Sequence, residues 1–96
     1  MKTRIALYSF DRAELKLYAH ILETYLHAEV TACYDSFTLR ESMPGQHCAV
    51  IVRNSGCATT VHKTAGLISA MRRTWKIAFV PIVLVDLQSY LNIHGR

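Results

Sequence analysis

Two kinds of apolar spacing alternate along this chain. Ile5, Ala6, Leu7 and Tyr8 form a short continuous apolar run, and so do Cys48 to Val52 and Val80 to Val85. Such runs suit strands buried on both faces. Between the first two, Leu15, Tyr18, Leu22 and Tyr25, with Ala19 and Leu26 beside them, recur at helical spacing and predict a helix over 12–27. Arg12, Lys16, His20, Glu23 and His27 fall on its wetter side. Asp11 is the expected N-cap, and Glu14 three residues later completes a capping-box pattern.

The stretch from Ala28 to Tyr34 alternates less cleanly, but Val30, Ala32 and Tyr34 favour a second strand. Asp35 and Ser36 can cap a short helix carrying Phe37, Leu39 and Met43, which Pro44-Gly45 ends. After the run at 48–52, Arg53 to Gly56 is turn material, and Thr59-Thr60 extends the loop. Val61, Ala65, Ile68, Met71 and Trp75 then predict a helix buried along one face. Arg72, Arg73 and Lys76 lie near its C-terminus, where positive charge complements the helix dipole. Pro81 is tolerable near the start of the last strand. Leu87 to Ile93 reads as a short helix or a tail.

Strands separated by helices need crossover connections, so the sheet is expected to be parallel with helices on both faces. Right-handed crossovers favour a doubly wound, flavodoxin-like α/β sheet of about four strands in the order 2-1-3-4.

Composition narrows the class. With 96 residues, 51% hydrophobic and 19% charged, the chain has room for one globular domain spanning 1–96. No apolar run approaches the roughly 18–20 residues that cross a bilayer, so no membrane partner is expected. Met1-Lys2-Thr3-Arg4 does not begin a secretory signal. Cys33, Cys48 and Cys57 are an odd, irregular set that suits free thiols in the cytoplasm. The net charge of +4 permits weak attraction to nucleic acid or acidic partners, but the basic residues are spread along the chain.

Particular stretches carry a resemblance. The segment Arg4-Ile5-Ala6-Leu7-Tyr8-Ser9-Phe10-Asp11-Arg12-Ala13-Glu14-Leu15 resembles the first strand and helix start of bacterial response-regulator receiver domains, with those of LytTR-type transcription regulators closest. Glu29 to Ser36 resembles their second strand and its exit, Ala65 to Arg73 their third helix, and Pro81 to Val85 their fourth strand. The resemblance implies a receiver-like domain lacking the last strand and helix of the family.

It does not extend to the family's chemistry. Receivers hold Mg²⁺ with an acidic pair after the first strand; Ser9, Phe10 and Asp11 occupy that stretch. The phosphoacceptor aspartate closes the third strand, and Arg53 stands at the matching place. Asp86 stands where the family carries Ser or Thr, and the family's lysine after a fifth strand has no counterpart. The loop from Arg53 to Gly66 reads as about five residues longer than usual. Mg²⁺ needs hard oxygen ligands, and phosphoryl transfer needs that cation and a positioned nucleophile. Asp11, Arg53 and Asp86 therefore form a degenerate phosphoacceptor pocket. Arg53 either pairs with Asp11 or Asp86, imitating an occupied site, or points to solvent.

Other chemistry has weaker support. His47-Cys48 and Cys57 to His62 are the near His/Cys pairs, without zinc-site spacing, so no metal is expected. Cys57 with His62 would need an orienting group that the sequence does not supply. Gly56 and Gly66 form no phosphate-binding pattern, and no cofactor is expected. The aromatics Tyr8, Phe10, Tyr18, Tyr25, Tyr34 and Trp75 fall mostly at expected core positions.

If the fifth strand is missing, Val80, Ile82, Val83, Leu84 and Val85 form an apolar edge of a kind that proteins seldom leave bare. A homodimer or a partner protein pairing with that edge is expected. The resulting expectation is a non-enzymatic, non-phosphorylatable interaction module in bacterial signalling or transcription regulation, with nucleic acid engaged only through a missing or separate domain. Two alternatives stand beside it: a small ligand-binding protein or enzyme using the crevice at the carboxyl ends of the strands, and a basic nucleic-acid-associated protein.

Overall fold

A computed structural model describes residues 2–53, 58–73, 75 and 80–86. The elements are β1 (Arg4–Ser9), α1 (Arg12–Tyr25), β2 (Glu29–Cys33), α2 (Ser36–Ser42), β3 (Cys48–Arg53), α3 (Ala58–Arg73) and β4 (Ile82–Asp86). The four strands form an all-parallel sheet in the order β2-β1-β3-β4, the doubly wound flavodoxin-like arrangement that the element order predicts. The chain moves one way from β1 to β2 and the other way through β3 to β4. Right-handed crossovers then place α1 on one face and both α2 and α3 on the other.

The pleat sorts the core accordingly. Ile5, Leu7, Val50 and Val52 face α1, where Leu15 is fully buried and Tyr18, Ala19 and Leu22 pack around it. Ala6, Tyr8, Cys33, Ala49 and Ile51 face the other way, against Leu39 and Met43 of α2 and Leu67 and Met71 of α3. Because β1 and β3 are buried on both faces, their sequences read as continuous apolar runs rather than as alternation.

Several expectations shift on contact with the structure. The first helix ends at Tyr25, not residue 27, because His27 adopts a left-handed backbone (φ 52°) and turns the chain into β2. Tyr25 and Leu26, placed on the buried stripe by spacing, are exposed in that last turn. Phe37 is exposed too. It lies two residues before Leu39, roughly 200° around the helix from the side that meets the sheet. Thr59 and Thr60 belong to α3, so the loop after Arg53 is not extended to Gly66. The buried stripe of α3 runs through Thr64, Leu67 and Met71, whereas Ala65 is exposed. A threonine at a core position hides that stripe from a reading based on hydrophobicity. The last strand begins at Ile82 rather than Val80. Pro81 has no N–H to donate, although its carbonyl accepts from the Ala49 N–H at 2.9 Å. The Arg72 Nη1 holds the Val80 carbonyl at 3.0 Å, so this arginine also ties α3 to the approach of β4. The expectations for Asn54 to Cys57, Lys76 and Leu87 to Ile93 lie outside the described residues.

Candidate functional site

Asp11, Arg53 and Asp86 all lie at the carboxyl end of the sheet. Arg53 and Asp86 are register partners on adjacent strands, and Asp11 lies two residues beyond the end of β1. Arg53 is half-buried rather than projecting freely into solvent. Asp11 is committed to α1: its Oδ1 accepts from the Ala13 N–H at 2.8 Å and the Glu14 N–H at 3.2 Å. This is the N-cap role that the sequence implies.

The second half of the expected capping box is replaced. Glu14 does not reach back to the Asp11 N–H. The Ser9 hydroxyl accepts from that N–H at 3.1 Å and donates in turn to Glu14 Oε1 at 3.2 Å. Ser9 is buried to 3% exposure, so this relay satisfies polar groups that would otherwise be costly at the strand end. Sequence spacing points at Glu14 and overlooks Ser9, because the hydroxyl acts through a contact between a strand and a helix.

β4 is the last of the described strands in the sheet. Among the described residues β3 is the one strand beside β4. Val83 is 49% exposed and Leu84 38%, whereas their register partners on β3, Val50 and Ile51, are 7% and 0%. Val80 and Ile82 pack against the core on the α2/α3 face, and Val85 against the α1 face.

A concave site that the sequence did not single out opens between α2 and α3, over the carboxyl end of β1. It is a pocket of about 420 Å³ lined by Tyr8 and Phe10, by Ser36, by Lys63, Gly66, Leu67 and Ala70 on one side of α3, and by Trp75. Its volume falls within the roughly 300–1,000 Å³ usual for small-molecule sites. Tyr8 and Phe10 meet edge to face, with centroids 5.0 Å apart and planes at 81°. Burial, then the nearby Asp35 carboxylate, raises the Tyr8 phenol above its ordinary pKa, so it is a proton donor at neutral pH. Gly66 stands in the interior of α3, where glycine costs about 1 kcal/mol relative to alanine. A Cβ there would meet nothing within 4 Å among the described residues, so their packing does not require the glycine. These residues come from four separate segments, and no spacing in the sequence announces them.

The remaining candidates come apart. His47 Nδ1 accepts from the Arg4 N–H at 2.8 Å, so that imidazole is engaged with the backbone at the opposite end of β1. Burial raises the thiol pKa of Cys33 and Cys48, which keeps both protonated. His62 is exposed on α3, and Cys57 lies outside the described residues. Among the described residues no three His, Cys, Asp or Glu side chains gather as metal ligands, and no helix is long and apolar enough to cross a membrane. Tyr34, assigned to the core with the other aromatics, is half exposed and lies under the Arg12 guanidinium at 5.0 Å from the ring centroid. Comparison with protein-family models, with curated proteins and with solved structures returns no match.

Proposed function

We propose that this chain is a receiver-like interaction module of bacterial signalling or transcription regulation that does not accept a phosphoryl group and pairs with a second copy of itself through β4. The observation that carries the reading is the exposure of Val83 and Leu84 on an outer strand. A bare strand edge offers a row of backbone donors and acceptors as well as apolar side chains, and another strand satisfies both. A second copy is the occupant that matches it in kind. A two-fold antiparallel pairing centred on Leu84 would set Val83 of one copy opposite Val85 of the other, making one continuous sheet from two. Apolar side chains would then meet apolar side chains along the strand, and the one carboxylate, Asp86, would fall at its end.

Charge at the strand ends supports the reading that phosphoryl transfer is absent. Arg53 beside Asp86 puts a cation where a receiver places its nucleophile, and Asp11 already serves as the cap of α1. A cation at that place repels Mg²⁺, which works against phosphoryl transfer by the receiver route.

Light scattering at high micromolar concentration is expected to give the mass of a dimer, and Val83→Lys the mass of a monomer with unchanged circular dichroism. A monomeric mass for the unaltered chain would overturn the pairing. Beryllofluoride with Mg²⁺ is expected to leave the spectrum unchanged; a saturable change would overturn the loss of phosphoacceptor chemistry.

A further inference from the structure

We propose that the pocket between α2 and α3 binds a planar aromatic acid, its ring lying among Phe10, Trp75 and the bare backbone of Gly66, and its carboxylate at Lys63. The site is lined by three aromatic side chains and by the small residues Gly66 and Ala70, which suits a flat apolar body. Its polar groups are all able to donate: the Tyr8 and Ser36 hydroxyls, the Trp75 indole N–H and the Lys63 ammonium. None of these four side chains has a hydrogen bond or ion pair among the described residues, although Tyr8 is 93% buried by the complement of its 7% exposure. Donors and a cation around an aromatic wall select a ligand that brings acceptors and negative charge.

The polarity of the site also sets the direction of the ligand. Asp35 acts electrostatically on Tyr8, and its Oδ1 is occupied by the Thr38 N–H at 2.7 Å and the Thr38 hydroxyl at 2.8 Å. An anionic group is therefore disfavoured at the Tyr8 end and favoured at Lys63. Gly66 adds an independent sign. A helix interior holds a glycine that packing among the described residues does not require, and the space beside it belongs to the pocket. An aromatic ring laid against that backbone would use the room. This site does not depend on the β4 edge, and its success or failure is separate from that of the dimer.

The test uses 2-naphthoate and its neutral analogue 2-naphthylmethanol, added to ¹⁵N-labelled full chain and followed by amide and indole NMR shifts. The chain has one Trp, so the single indole signal reports Trp75 without ambiguity. Naphthoate is expected to shift the Trp75 indole and Gly66 amide signals saturably, with Kd below about 1 mM. The alcohol is expected to bind roughly ten-fold more weakly, the difference a charge-assisted contact would make. Lys63→Gln should bring the acid down to the affinity of the alcohol, and Gly66→Leu should abolish both responses. Gly66→Ala, which meets no neighbour, guards against a leucine variant that fails to fold, and is expected to weaken binding while the amide spectrum stays dispersed. No saturable shift at Trp75 would overturn the site, as would binding undiminished in both Gly66 variants. Equal affinities for acid and alcohol would overturn the assignment of Lys63 to a carboxylate.

Discussion

Among the described residues β2 and β4 are the outer strands of one sheet, and they are finished in opposite ways. β2 is the less apolar, reading Glu29-Val30-Thr31-Ala32-Cys33, yet α1 and α2 both pack beside it and Cys33 is fully buried. β4 reads Ile82-Val83-Leu84-Val85-Asp86, a stronger strand by composition, yet Val83 and Leu84 meet solvent. Burial follows from which elements the topology delivers to an edge, not from the hydrophobicity of the edge itself. Two crossovers start or end at β2 and bring capped helices with them. At β4 the described residues supply one crossover helix, α3, and that helix packs on β3.

The largest contrast is expected from truncating apolar side chains on the two sides. Leu39→Ala removes a fully buried side chain of α2 and is expected to cost about 2–5 kcal/mol, enough to unfold much of a domain this small. Leu84→Ala is expected to cost under about 1 kcal/mol in the monomer, with any further loss appearing only as weakened dimerisation. Urea unfolding at low and at high protein concentration separates these terms. Similar losses at both positions would break the comparison.

Removing the α1 cap should come next. Asp11→Ala is expected to cost about 0.5–2 kcal/mol by stripping two helix N–H groups of their acceptor. Ser9→Ala probes the relay beneath it, and thermal unfolding of the double variant should show that the two losses do not add. Gly66→Ala should instead stabilise the chain by up to about 1 kcal/mol, because it improves a helix interior without meeting a neighbour. A destabilised Gly66→Ala variant would mean that the open space beside α3 is needed by the fold itself.

The smallest expected effect is the acid dependence of the covered side. Asp35 caps α2 through Thr38, and those hydrogen bonds hold its carboxyl below the ordinary aspartate value. A folded pKa lower than the unfolded one contributes stability that is fully present above the ordinary value of 3.8 and is lost as pH falls through the lower folded value. Urea midpoints of the unaltered chain and Asp35→Ala should therefore converge as pH drops below that range. If they stay parallel, the cap contributes nothing through its charge.

Legibility varied in the same way as burial. The runs at Ile5 to Tyr8 and Cys48 to Val52, the caps at Asp11 and Asp35, and the strand–helix alternation prescribed a parallel sheet in the order found, because each is a local property of the chain. Arg53 at the close of a strand was equally plain, and its placement beside Asp86 followed from the strand register. What the sequence misassigned was the facing of individual side chains: Tyr25, Leu26 and Ala65 were counted inward, and Thr64 and Ser9 were not. Periodicity gives the angle between side chains but not the axis to which that angle is referred. That axis is set when a helix docks on the sheet.

The pocket marks the boundary between the two kinds of information. Tyr8, Ser36, Gly66 and Trp75 have nothing in common along the chain, and crossovers on one face of the sheet bring them together. The sequence by itself determined the elements and their order, since each depends on residue identity and near-neighbour spacing. Only the tertiary structure decided which apolar surfaces stayed exposed and where a cavity remained. Those outcomes depend on how rigid elements fit against one another, and a fit between distant segments leaves no periodic trace in any one of them.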